Sequence, residues 1–582
     1  MKTIKILLLL GVLVTGTVAC KKSFLDEKAV DFLSTSNAFK TEADFKASVT
    51  NLYGRIRSHY YTVNDYQPFW YLYRTDAYLD VASSAANLPG QIAPTAGEVT
   101  FAWAPHYKII AEANTIIHRL PTSDLTDAQK LLFEARARFF RAFGYRALAY
   151  LYGNVPLVLE EIETPKTDFT QSTREQVYDQ IITDLEFAAA NLPSIDKVSD
   201  GEISNIAAYH LLAEVCNSAK KFEKARDAAT AVITDPNMAL MTARFGSRKN
   251  GIPANGIFPA IAGDVYWDLF QPQNQNRKTA SNKEAIWVIQ FETDVPGGGN
   301  SSTRSVFDGD AFYALERVHT PLMRDVKVNG VAVFQWPVSD FTGGRGVGFM
   351  APDAWFADTV WKNAGADVRN ANHNFVRDFI GTNPASPLYG QVFSTKNLPA
   401  GATGFNNAVL KPGVAERALY PFQSKATTPF AHPASLLNNP NSTDVVGKLV
   451  LKGGAGGTYL DQYMFRLAET YLLRAEAQLG LSRTDLAAND INVVRSRSNA
   501  GAVDAADVNI DYILDERLRE LGVEEKRMLT LMRLGKWVDR VRKCNPFYAA
   551  QVQDHYNLWP IPASEIEKNN QNKLNQNPGY PQ

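Results

Sequence analysis

Apolar residues recur at every third or fourth position between Tyr459 and Trp537, the most regular stretch of the chain. Phe465, Ala468, Leu472, Ala475 and Leu479 fall on one helical face, and Leu467, Tyr471 and Arg474 form a second stripe beside it. A helix apolar on two sides packs between neighbours instead of on one core. Gly480 and the Ser482-Arg483-Thr484-Asp485 turn end it, and Thr484 or Asp485 can cap a second helix carrying Leu486, Ile491 and Val494. A third follows, with Ile510, Leu514, Leu518 and Leu521 in register. This is a helical hairpin of the tetratricopeptide kind, which buries its faces only by stacking on other hairpins.

The N-terminal part repeats the theme. Helices are expected over 37–57, with Ser36 or Asn37 as cap and Thr41 with Asp44 as a second capping pattern, over 103–120, over 127–152 and over 174–192. Pro156 cannot continue the third of these, and Pro193 closes the fourth. Residues 203–234 match a tetratricopeptide pair: Tyr209, Leu212, Ala213 and Cys216 suit its first helix, Ala225, Ala229 and Val232 its second. Between them, Asp76 and Asp80 read as lying on a short helix and 83–99 as loop. From Met238 to Gly457 helical periodicity fades, and Gly, Pro, Asn and Ser become frequent. One strand is legible there, Glu284 to Phe291. The expected fold is mainly α: about four stacked helix hairpins carrying a large loop-rich, ligand-facing region with a few short strands.

Charge narrows the possibilities. The 582 residues carry a formal net charge of -1, so no basic surface for nucleic acid is expected. Aromatics are 11% of the chain, with 24 Tyr and 9 Trp, more than a helical stack needs for packing. Of the three cysteines, Cys216 sits on a helix face among Leu212, Ala213 and Ala219 and reads as a buried thiol; nothing favours its pairing with Cys544. The start of the chain is basic to Lys5 and apolar from Ile6 to Val18, shorter than the ~20 residues of a membrane span but suited to a secretory signal. Thr17-Val18-Ala19-Cys20 fits a lipoprotein processing site, although Thr17 stands where Leu is usual; plain cleavage leaving a free thiol is the alternative. The expected organisation is a signal peptide at 1–19, a lipidated tether at 20–36, a helical part at 37–237, the loop-rich region at 238–457 and a second helical part at 458–582, forming one body.

Several pieces together resemble the RagB/SusD outer-membrane lipoproteins of Bacteroidetes. They are Cys20; Glu134-Ala135-Arg136-Ala137-Arg138-Phe139-Phe140-Arg141-Ala142 running to Tyr152-Gly153-Asn154-Val155-Pro156-Leu157-Val158; Asp367-Val368-Arg369; Arg466 to Ala477; Asp515-Glu516-Arg517-Leu518-Arg519-Glu520-Leu521; Arg533-Leu534-Gly535-Lys536-Trp537; and Leu558-Trp559-Pro560-Ile561-Pro562 before Asn577-Pro578-Gly579-Tyr580. Their order and spacing carry the resemblance. It implies a lipid-anchored, surface-exposed outer-membrane protein without enzymatic activity or cofactor. Such a protein captures a nutrient, most often a glycan, and delivers it to a TonB-dependent SusC-like barrel.

Glu516 and Glu520 lie one turn apart, and paired carboxylates can cleave glycosides. Arg517, Arg519, Lys526 and Arg527 beside them favour ion pairing instead, so no catalytic residue is expected. No His-x-x-x-His or Cys-x-x-Cys cluster predicts a metal site. The run Asp539-Arg540-Val541-Arg542-Lys543 reads as a solvated helix face. For glycan binding the question is which aromatics are spare. Trp103, Trp287, Trp537 and Trp559 fit core positions, and Trp355 and Trp361 flank a short helix. That leaves Trp70, Tyr71 and Tyr73, then Trp267 and Trp336, with Asn64, Asp65 and Arg74 as polar partners. The competing reading is a helical-repeat scaffold that binds protein or peptide partners only.

Overall fold

The computed structural model describes residues 39–581 apart from 62–66, 84, 296, 301–312, 341–342 and 428. Cys20 with its leader, and Asn64 and Asp65, lie outside the described residues. Six helices of twelve residues or more follow one another through the described N-terminal part: α1 (Glu42–Tyr61), α2 (Gly97–Arg119), α3 (Asp127–Tyr152), α4 (Arg174–Asn191), α5 (Asn205–Ser218) and α6 (Phe222–Ile233). After the loop-rich region come α7 (Leu467–Gly480), α8 (Thr484–Arg497), α9 (Ile510–Glu520), α10 (Arg527–Arg533) and α11 (Trp537–Cys544). From α2 to α8 each helix packs on the next, and α7 docks directly on α6 across the whole intervening region. No helix of the described residues is long and apolar enough to cross a membrane.

Local chemistry sets the helix starts. Thr126 and Gln129 form a reciprocal capping box at α3, and Thr173 and Gln176 form another at α4. Such caps are each worth about 1 kcal/mol. At α1 the Thr41/Asp44 pattern is the one used: the Asp44 carboxylate accepts from Thr41 N at 2.7 Å and from its hydroxyl at 2.9 Å. α3 is buried without a break from Phe139 to Tyr152, as a helix enclosed by neighbours must be. Trp287 fills the centre of the stack, with the rings of Tyr53, Phe139, Phe140, Phe143 and Phe465 at 5.6–6.3 Å. Much of the aromatic surplus is therefore core.

Four expectations are corrected. Phe465 and Arg466 do not begin a helix: Gln462–Arg466 is a strand antiparallel to Ala285–Ile289, and α7 starts one residue later. Asp76 and Asp80 share no helix: Asp76 is in a turn, and Tyr78–Asp80 pairs with Met350–Pro352. Within 83–99 a short helix, Leu88–Gln91, forms, and α2 begins already at Gly97. Arg540 is not on a solvated face. It is buried, bonded to Asp76 at 2.7 Å and Asp515 at 2.5 Å, because α11 turns that edge toward the fold.

The loop-rich region has a core of its own, built on Phe258, Trp267, Phe334, Phe379, Tyr420 and Phe422. A three-stranded sheet, Ala402–Thr403 beside Lys327–Val328 beside Val331–Ala332, stiffens one side of it. Cys216 and Cys544 are both buried and unpaired.

Candidate functional site

Glu516 and Glu520 of α9 point inward. Glu516 receives Arg369, Arg495 and Arg519, each at 2.8 Å. Glu520 receives Arg369 at 3.0 Å and Arg466 at 2.5 Å, and also Arg497. Both glutamates are inaccessible to solvent. Burial opposes ionisation of Glu516, but Arg369, Arg519 and Arg495 outweigh it and bring its pKa down to about 2. Glu520 is likewise held low, against burial, by Arg497, Arg466 and Arg369. A glycosidic acid must keep its proton near neutral pH and touch the substrate. Neither residue does, so this pair is structural.

The aromatic candidates separate by burial. Tyr71 is inaccessible, stacked on Tyr60 at 5.2 Å with its hydroxyl 2.6 Å from His59 Nε2. Tyr73 is buried, and so is Arg74, which faces Glu98 at 3.4 Å while its carbonyl accepts from Trp537 Nε1 at 2.8 Å. Trp267 is 1% exposed in the second core, wedged against Gly263, where an added Cβ would lie 2.3 Å from the ring. Two candidates keep partial access. Trp70 sits edge-on to Phe101 at 5.0 Å, at the rim of the main core. Trp336 lies at the rim of the second core, with Arg345 Cζ 4.2 Å and Arg324 Cζ 5.1 Å from its ring centre. The structure thus places Trp70 and Trp336 on different clusters and does not bring the five candidate rings together.

Two features were not read from the sequence. An apolar cleft of about 490 Å³ opens along α2, lined by Trp103, Tyr107, Ile110, Val158, Phe169 and Leu574. Its size falls within the ordinary range of small-molecule sites. The cleft joins α2 to segments more than 400 positions apart in the chain, so periodicity gave no signal for it. Among the described residues, His118, Glu161 and Glu163 also bring ligand atoms within 4.8 Å of one another. Arg119 already bonds both carboxylates, at 2.7 and 2.6 Å, so their charge is met by a guanidinium.

Comparison with known proteins places this architecture. Residues 283–580 match the group described as the SusD family, and residues 23–216 match the group described as starch-binding associating with outer membrane. The chain belongs to the SusD family. SusD-like protein P2 of Formosa agariphila is 24% identical over 602 residues, covering 98% of each chain. Among solved structures, a laminarin-binding SusD-like protein superimposes with a TM-score of 0.63 at 22% identity, covering 93% of this chain and 100% of its own. Surface glycan-binding protein A of Bacteroides thetaiotaomicron, in complex with laminarihexaose, gives a TM-score of 0.63 at 19% identity, covering 92% and 100%. The SusD fold accounts for the feature the sequence only hinted at: a helical stack interrupted between α6 and α7 by a folded region with its own core.

Proposed function

We propose that this SusD-family protein captures an oligosaccharide at the outer-membrane surface and passes it, uncut, to a TonB-dependent barrel. The family match over residues 283–580 carries the reading. The names of two structural neighbours, one laminarin-binding and one in complex with laminarihexaose, support a glycan as the nutrient. The ion pairing of Glu516 and Glu520 agrees with binding without cleavage. Trp336 and Trp70 are the candidate rings with access to a ligand. Cys20 carries the lipid that holds the protein at the membrane.

The test is calorimetry of the purified protein against a panel of oligosaccharides, with Trp336→Ala and Trp70→Ala beside it. At least one saccharide binds, and one of the two substitutions weakens it about tenfold, the loss expected for a stacking ring. Tight binding of peptides with no response to any saccharide would overturn the ligand class. Replacing Cys20 by Ala moves the protein out of the membrane fraction; unchanged fractionation would refute the anchor. Co-purification of an outer-membrane barrel, absent after a wash that leaves glycan binding intact, checks the partner.

A further inference from the structure

The apolar cleft along α2 is held open by its own walls. Ala104, Lys108 and Ala111, three and four positions apart, are exposed on its floor. Asn114 Nδ2 donates to the carbonyls of Val158 at 3.0 Å and Glu160 at 3.1 Å, which ties one wall to the helix. Asn569 exchanges two 2.8 Å bonds with the Phe169 backbone and ties the other wall to the end of the chain. With both walls fixed the cleft does not close on itself, and Ile162 in its lining stays 41% exposed. Apolar surface kept open in this way gains from being covered. A cavity of about 150 Å³ takes one benzene ring, so 490 Å³ takes about three groups of that size.

The chain itself supplies such groups close by. The described residues begin at Phe39, and Lys40 is pinned to the turn after α2: its carbonyl accepts from Asp124 N at 3.0 Å and its Nζ donates to Thr122 O at 3.1 Å. Thr122 lies about 10 Å along the helix axis from Thr115, where the cleft begins. From there the cleft runs to Trp103, about 18 Å of helix. Residues 24–33 carry five large apolar side chains, Phe24, Leu25, Val30, Phe32 and Leu33. Leu33 is six positions before Phe39, a reach of about 20 Å. A ten-residue segment spans about 15 Å as a helix and about 33 Å extended, which brackets the cleft. The charges match as well. Around the cleft Lys568 is paired with Glu565, Lys166 with Asp168, and Arg119 with Glu161 and Glu163. The side chains of Lys108 and Glu160 have no ion pair among the described residues, and both are exposed. The segment brings Asp26, Glu27 and Asp31 for the lysine and Lys28 for the glutamate.

We propose that residues 24–33 of this chain fill the α2 cleft, with Leu33 toward Thr115 and Phe24 toward Trp103. Cys20 is four positions before Phe24, so its lipid is then held within about 14 Å of the cleft and the α2 face is turned to the membrane. The docking needs no lipid. Its consequence at the membrane rests on the anchor reading, which the fractionation of Cys20→Ala tests separately. The test is hydrogen exchange of the mature chain carrying Cys20→Ala. Amides of 24–33 exchange about tenfold slower than free chain. Ile162 is exposed, so Ile162→Glu folds, and it restores fast exchange to 24–33. Phe32→Cys with Ala111→Cys closes a disulfide within one chain about tenfold faster than Phe32→Cys with Val493→Cys, an exposed position on α8 at the other end of the stack. Cys216 and Cys544 are buried and take no part. Fast exchange over 24–33 in the parent chain, or protection indifferent to Ile162→Glu, overturns the inference. Equal disulfide rates overturn it too, and so does a disulfide joining two chains, which puts the segment of a second copy in the cleft. Laurate that raises the thermal midpoint while 24–33 exchange freely also overturns it, and makes the cleft a site for an outside amphiphile. Each of these results leaves saccharide capture standing.

Discussion

Replacing Glu516 by Gln tests whether α9 carries structural or catalytic carboxylates. Glu516 is inaccessible, and three guanidiniums lie 2.8 Å from its oxygens. Gln keeps the shape but removes the charge, and turns an NH2 group toward guanidinium N–H groups that need an acceptor. Breaking a buried ion pair from one side costs about 3–5 kcal/mol. That is a large part of the roughly 5–15 kcal/mol that holds a typical domain folded. Urea unfolding followed by near-UV circular dichroism reads it as a lower midpoint at unchanged slope. The pH dependence follows from the depressed pKa. In the folded protein the value is about 2 against an ordinary 4.5, so the stability this carboxylate contributes is complete above pH 4.5 and lost as pH falls toward 2. The gap between wild type and variant therefore closes over that window. A loss below about 1 kcal/mol at pH 7, or a gap that does not narrow on acidification, refutes the reasoning.

Three further outcomes follow from packing. In a Cys20→Ala background, Cys216 and Cys544, whose thiols burial pushes up to about 12, stay unmodified by a thiol reagent at pH 8 until urea unfolds the chain; reaction in the native state contradicts their placement. Gly480→Ala puts a Cβ 2.5 Å from the Phe222 ring, where α7 meets α6, and costs about 1–3 kcal/mol by thermal unfolding; a neutral result would mean that the two helices are not in that contact. Thr126→Ala removes one capping box and lowers stability by about 1 kcal/mol, with no effect on saccharide binding.

The helical part was largely legible because its signals are local. α3 spans the same residues that periodicity marks, since Thr126 caps it and the chain leaves it through Gly153 at φ 73°. The strand at Ala285–Ile289 was legible too, but its partner was not. Phe465 and Arg466 continue the helical spacing of α7, and only Ala285 and Trp287, about 180 positions away, hold them in a ladder. The same limit applies to the site. Trp267 and Trp336 have similar surroundings in sequence, yet Gly263 and the second core enclose one while the other stays at a rim. Tyr71 went inward because His59 and Tyr60 pack on it, and Trp537 of α11 bonds the Arg74 carbonyl just beyond the buried Tyr73. Which aromatic is spare is a property of the assembled fold, and no single segment records it.

The charges around α9 also decide how the loop-rich region sits on the helices. Arg369 and Lys425 come from that region, Arg466 from the strand before α7, and Arg497 from α8, and all four converge on the end of α9. Buried ion pairs add little net stability over apolar packing, but they allow few alternative dockings. Lys425 shows the cost. Its Nζ donates to the carbonyls of Glu520 at 2.9 Å and Leu521 at 3.0 Å and pairs with Glu524, yet burial still pulls its pKa from 10.5 to about 8. A base whose folded pKa is lowered destabilises the fold while it is charged. That cost is full below pH 8 and is relieved as pH rises toward 10.5. Lys425→Met removes the titration at nearly constant shape. Wild type should therefore gain about 3 kcal/mol on the variant between pH 7 and pH 10.5, the free energy of a shift of that size. A wild-type-minus-variant difference that stays flat over this range would mean that Lys425 is solvated, and that the loop-rich region is not clamped to α9 through this contact.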